Sequence, residues 1–311
     1  MSGRQAMVAL LVAMSSGALA GLIGTKLVGT APDRLLRTNV RGRRVPAILG
    51  LPVAGTGLLG LLALALAPLG GPDGIVSARM LLATGLIIVV MTAAGLIDDL
   101  RGDEQPRGFK GHLGALRKGR LTGGMVKLLA GGLVGLLAGV LIAGEGSLEL
   151  FRRQLLDYGS AGWGDLWRVA EVGLFVALGA NLVNLLDRAP GRATKSVFVL
   201  GIPCLLWSSG SWIVAAAPLF GGLAGVFALD LRERGMAGDA GVNPVGGILG
   251  LGLATIPAPG RTIVLVVLLL LNLASEKWSF SRAIESRALL ARFDRCGRLP
   301  DRADPSDLPR S

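Results

Sequence analysis

The chain has 311 residues, 51% of them hydrophobic, with 48 glycines and a mean hydropathy of +0.61. Long apolar runs separated by short polar breaks exclude an ordinary soluble domain and describe a polytopic membrane protein. The formal net charge of +11 sits in loops beside those runs, where it serves topology and anionic lipid or phosphate groups rather than nucleic acid. The runs do not alternate as barrel strands must, so the predicted class is all-α, a polytopic bundle of about nine transmembrane helices. Cys204 lies in an apolar run and Cys296 in a basic tail, and no disulfide framework follows.

The first predicted helix covers about 6–29. A signal-peptidase-like Ser-Gly-Ala-Leu-Ala lies at 16–20, but the run continues past it to spanning length. The next loop carries Arg34, Arg37, Arg41, Arg43 and Arg44 against Asp33. The positive-inside rule makes it cytoplasmic and puts the N-terminus outside. Helix two is expected at about 47–69, followed by an outer Gly-Gly-Pro-Asp-Gly turn, and helix three at about 75–97, ending at Asp98-Asp99. The charged loop 98–124 leads to helix four, which starts near Lys127, and 144–168 reads as an outer amphipathic helix with Leu148, Phe151 and Leu155 in register.

Helix five, about 169–187, returns to the cytoplasmic side. Helices six and seven flank Ser208-Ser209-Gly210-Ser211, with Trp207 and Trp212 expected at interfacial depth. A loop at 230–244, with Arg232, Glu233, Arg234 and Asp239, is cytoplasmic; helix eight runs to about 256 and helix nine to about 274. The division is therefore 1–274 for the membrane domain and 275–311 for a basic cytoplasmic segment. Phe280, Ile284 and Ala288 share one side of that segment's first part, as in a helix on the inner membrane surface, and the stretch from Leu299 onward is expected to be disordered.

The stretch Asn181-Leu182-Val183-Asn184-Leu185-Leu186-Asp187 puts two carboxamides and a carboxylate at the end of an apolar helix. Polar groups at that depth are costly and point to function. A spacing of three places them within about 120° of arc, so one cleft could use all of them. A basic loop follows, with Arg188, Arg192 and Lys195. Under the predicted topology Asp98, Asp99, Asn181, Asn184, Asp187 and Asp239 all reach the cytoplasmic boundary from three separate segments. Carboxylates with carboxamides suit Mg²⁺, and neighbouring Arg and Lys suit phosphate. A metal, a diphosphate and a membrane surface suggest phosphoryl transfer to a lipid.

These pieces resemble the polyprenyl-phosphate N-acetylhexosamine-1-phosphate transferases. The likeness runs from Asn39-Val40-Arg41-Gly42-Arg43-Arg44-Val45-Pro46 through Gly95-Leu96-Ile97-Asp98-Asp99, Leu121-Thr122-Gly123-Gly124-Met125-Val126-Lys127, the Asn-x-x-Asn-x-x-Asp from Asn181, and Gly238-Asp239-Ala240-Gly241. It implies a Mg²⁺-dependent reaction at the inner (plasma) membrane, in which polyprenyl phosphate attacks a UDP-sugar and UMP leaves. By that resemblance Asp239 is the metal ligand, and Asp98 and Asp99 engage the polyprenyl phosphate or assist its attack. Asp187, Asn181 and Asn184 line the uridine diphosphate site and Lys127 lies near the nucleotide; apart from the resemblance, the charge of Arg188, Arg192 and Lys195 in the following basic loop suits substrate phosphates.

Two departures accompany the likeness. Arg188 stands where the family commonly has glycine, and the loop 272–282 lacks the family's histidine-rich motif; the one histidine, His112, lies elsewhere. They motivate a second expectation, a catalytically silent relative that binds polyprenyl phosphate or a lipid-linked sugar. A third is a lipid-phosphate transporter using the same polar cleft. A homodimer is compatible with the sequence and not required by it.

Overall fold

A computed structural model describes residues 1–67, 75–101, 122–143 and 163–299. The helices are α1 (Gly3–Val28), α2 (Gly50–Leu66), α3 (Ala78–Arg101), α4 (Gly123–Ile142), α5 (Trp163–Leu186), α6 (Arg192–Leu200), α7 (Ile202–Trp207), α8 (Gly210–Leu231), α9 (Gly238–Ala254), α10 (Gly260–Ser275), α11 (Phe280–Glu285) and α12 (Ala288–Arg295). Five of the described helices contain segments long and apolar enough to cross a membrane: Gly3–Val28, Ala78–Leu100, Gly123–Ile142, Leu166–Leu186 and Gly210–Leu231. The fold is an all-α, membrane-type bundle.

The apolar run at helix two gives a helix shorter than the expected 47–69, α2, while helix nine, α10, ends at Ser275, close to the expected 274. The sixth run divides at Gly201 into α6 and α7. Pro203, at the start of α7, has no N–H to give to the carbonyl four residues back, so a continuous helix is interrupted there. The turn at 70–74, His112 with most of the 98–124 loop, the amphipathic segment around Leu148, Phe151 and Leu155, and the tail beyond Leu299 lie outside the described residues.

At the centre stands α9, buried along its whole length except for Asp239 at its second position. It packs on α2, α3 and α5, while α1 packs on α8 and α2 at the periphery. The α1–α8 crossing is close because glycines meet: a Cβ on Gly225 would lie 1.9 Å from the Gly17 carbonyl oxygen. Small residues at such crossings let backbones approach and gain van der Waals contact, the driving force left to helices in lipid. Trp207 is exposed, as an interfacial anchor should be. Trp212 is not: it is buried, and its Nε1 donates to the Ile248 carbonyl at 2.9 Å. Its indole thus fastens α8 to α9.

The first basic loop is more ordered than its composition suggests. Strands β1 (Leu36–Thr38) and β2 (Arg44–Pro46) form an antiparallel hairpin. Asn39 shapes its turn, accepting from the Arg41 and Arg43 amides at 2.9 and 3.0 Å. The hairpin continues into a parallel bridge between Ala47 and Met236, so it is joined to the α8–α9 connection. Glu233 in that connection takes Asn39 Nδ2 at 2.8 Å and Arg41 Nη1 at 2.6 Å. Its side chain is almost wholly buried, so the pairing replaces the hydration it has lost.

Candidate active site

The ends of α3, α4, α5 and α9 meet at the same end of the bundle as this hairpin, around a cavity of about 550 Å³. Lys127, in the first turns of α4, places its ammonium between two carboxylates. Its Nζ lies 2.7 Å from Asp98 Oδ2 and also donates to Asp239 Oδ2. Asp239 Oδ1 accepts from Asn184 Nδ2 at 2.6 Å, and the same amide reaches Asn243 Oδ1 at 3.1 Å. Four helices thereby contribute to one polar cluster. Asp239 also stands in the first turn of α9, where the helix dipole favours a negative charge.

Asp99 accepts from the Asp239 and Ala240 amides at 3.2 and 3.0 Å. Residue Ala237 at the N-cap position has no side-chain cap of its own. The α3 carboxylate therefore performs the capping that a local Ser or Asp would otherwise supply. It can do so because Gly95 lets α3 approach: a Cβ there would sit 2.2 Å from the Asp239 carbonyl oxygen. Gly95→Ala should push α3 off the N-terminus of α9. It should destabilise the protein by roughly 1–3 kcal/mol as overpacking does, read as a lower unfolding temperature in detergent.

Asp98, Asp99, Lys127, Asn181, Asn184, Asp187, Arg188 and Asp239 all line the cavity. Asn181 also has a structural bond, its amide donating to Asn272 Oδ1 of α10 at 2.7 Å. Asp187 follows α5 directly. Burial, then the charges of Asp230, Asp239 and Asp99, pushes its carboxyl well above the ordinary range, with Arg188 working against them. So many carboxylates around one ammonium leave the cavity able to attract a further cation.

Arg192 and Lys195 do not line the cavity. Arg192 is 4% exposed and makes paired bonds to Asp294 at 2.9 and 2.8 Å, with a third to Ser281 Oγ at 2.7 Å. Lys195 donates to the carbonyls of Phe293, Asp294 and Cys296. Both hold the C-terminal segment. The arginines that line the cavity are Arg188 and Arg37.

Several residues of the site were not singled out from the sequence as functional: Asn243, Asp230, Glu233, Asn39 and Asn272. Asn243 could have been found, since it lies one helical turn after Asp239 in an otherwise apolar helix. Among the described residues its Nδ2 is buried with no hydrogen-bond partner, beside a cavity it helps to line. Asp230 was hidden by its position at the end of an apolar run. It is buried and accepts from the Gly191 amide at 3.0 Å, holding the turn after Asp187.

Among the described residues no group of three or more His, Cys, Asp or Glu side chains is arranged to hold a metal ion. The donors nevertheless fit Mg²⁺, which commonly takes one or two protein carboxylates and completes its shell with water and substrate phosphate. Asp98 and Asp239 are such a pair, and Lys127 is the cation they share in this structure. No family model matches the chain, and no curated protein matches it.

Proposed function

We propose that this chain is a multi-pass plasma-membrane sugar-1-phosphate transferase of the polyprenyl-phosphate type, with about nine membrane passages and its site on the cytoplasmic side. It would move a sugar-1-phosphate from a UDP-sugar to polyprenyl phosphate, release UMP and use Mg²⁺. The observation that carries this reading is the Asp98–Lys127–Asp239 cluster in the cavity. Each member belongs to a different motif of the family the sequence resembles.

Bound Mg²⁺ would neutralise diphosphate charge and stabilise the departing UMP. Asp98 and Asp239 would hold it. The ammonium of Lys127 would then turn to a phosphate oxygen, adding positive charge where negative charge develops. Asn184, already fixed against Asp239, keeps that carboxylate oriented, and Arg188 and Arg37 at the cavity wall would donate to phosphate oxygens. A lipid phosphate is largely ionised near neutral pH, so positioning and charge neutralisation supply most of the rate.

The expected result in detergent is UMP formation that requires a UDP-sugar, undecaprenyl phosphate and Mg²⁺ together, tested across a panel of UDP-sugars. One observation favours a second reading. Lys127 already bridges the two carboxylates, which suits a catalytically silent protein that binds polyprenyl phosphate or its sugar adduct. Saturable lipid binding with no UMP from any donor would select that reading, and UMP release would discard it.

A further inference from the structure

The C-terminal segment is fastened to the bundle by one face only. Within α12, Ala291 and Asp294 are buried. Asp294 is held by Arg192 and Arg298, and the next residues by Lys195 and by Arg298 Nε on the Pro190 carbonyl at 2.9 Å. Arg41 in turn donates to the Leu299 carbonyl at 2.8 Å. These anchors lie at the first turn of α6 and in the β1–β2 hairpin, at the end of the bundle that holds the cavity.

The opposite face is apolar and open. Leu289 is 84% exposed, Phe293 52% and Leu290 44%, with Trp278 at 68% in the link from α10. Around them stand exposed Lys277, Arg282, Arg287, Arg292 and Arg295, against the acidic Glu276 and Glu285. An apolar face rimmed by basic side chains is the composition of a helix that lies in a membrane interface. The segment also begins where α10 ends, and α10 carries an exposed apolar stripe of its own, Ile263, Val266, Leu270 and Leu273.

We propose that this face docks on the anionic lipid surface at the site end of the bundle. Leu289, Leu290, Phe293 and Trp278 enter the headgroup region, and Arg282, Arg287, Arg292 and Arg295 pair with lipid phosphates. The basic rim selects this occupant, because an apolar protein partner would not need it. The contact reaches the cavity wall through Arg298 and Pro190, three residues after Asp187, so anionic lipid steadies the 187–190 loop that lines the cavity.

The test uses the full chain with Cys296→Ser and Leu289→Cys, carrying an environment-sensitive fluorophore, in nanodiscs of phosphatidylcholine with or without phosphatidylglycerol. With phosphatidylglycerol, quenching by aqueous iodide should fall and quenching by headgroup spin-labelled lipid should rise, and salt should reverse both. Changing Arg287, Arg292 and Arg295 to Gln should lower the docked-to-free ratio by roughly fivefold per arginine. A label at Trp278→Cys reads the same surface independently. Equal iodide access in both kinds of disc, with no lipid quenching at either label, overturns the proposal. Protection found only in discs holding two chains also overturns it, by assigning the face to a second copy.

Discussion

Under the proposed transfer, Asp239→Asn should lower UMP release by roughly 10²–10³-fold while the chain stays folded. The substitution keeps volume and an oxygen for the Asn184 amide, but it removes the charge that holds Lys127 and would hold Mg²⁺. Because Asp239 is the one residue of α9 not buried, little else in the core is disturbed. Lys127→Met makes the complementary change: Asp98 and Asp239 then face each other without their ammonium. Turnover should fall by a similar factor, while thermal stabilisation by Mg²⁺ alone should become larger than in the unaltered chain, since a divalent ion now meets the pair unopposed. Retained turnover in Asp239→Asn removes the cavity from the reaction. Equal Mg²⁺ stabilisation with and without Lys127 places the metal elsewhere.

The sequence carried the class of the fold well, because membrane burial requires apolar runs and those runs are contiguous. It carried helix ends poorly. One apolar run became the spanning-length α8 and another the 16-residue α10, which begins directly after Pro257 and Pro259. The site was legible where spacing is local. Asn184 and Asp187 follow from a period of three on α5, and both line the cavity.

Non-local partners could not be read in this way. Arg192 and Lys195 sit in the same basic loop as Arg188, so all three looked like phosphate ligands. What separates them is Asp294, about a hundred residues further on, which claims Arg192. Asp99 was one of an adjacent acidic pair with nothing to distinguish it from Asp98. Only the approach of α3 to α9 at Gly95 makes it a helix cap. Trp212 looked like an anchor at a helix end, and packing against α9 drew it inward.

The Arg192–Asp294 pairing supports the largest expected effect on stability. Asp294→Ala leaves Arg192 and Arg298, with side chains 4% and 10% exposed, without their shared carboxylate. Breaking a buried pair from one side costs roughly 3–5 kcal/mol. Arg192→Met should cost less, because Asp294 keeps Arg298. Replacing both residues at once, as Arg192→Met with Asp294→Leu, should recover part of the loss, since Arg298 alone is then left without its carboxylate. The loss should fall first on the docking of α11 and α12, so limited proteolysis of the C-terminal segment reads it before global unfolding does. Burial works to raise the Asp294 carboxyl, but Arg192 and Arg298 outweigh it and hold the group below its ordinary 3.8. A folded value below the unfolded one means that the stabilisation is fully present above that ordinary value and is lost as pH falls through the folded value. The unaltered chain should therefore release its tail to protease on strong acidification. Asp294→Asn should show a looser tail at neutral pH and no such acid step, and an acid step surviving in that variant would assign it to another carboxylate.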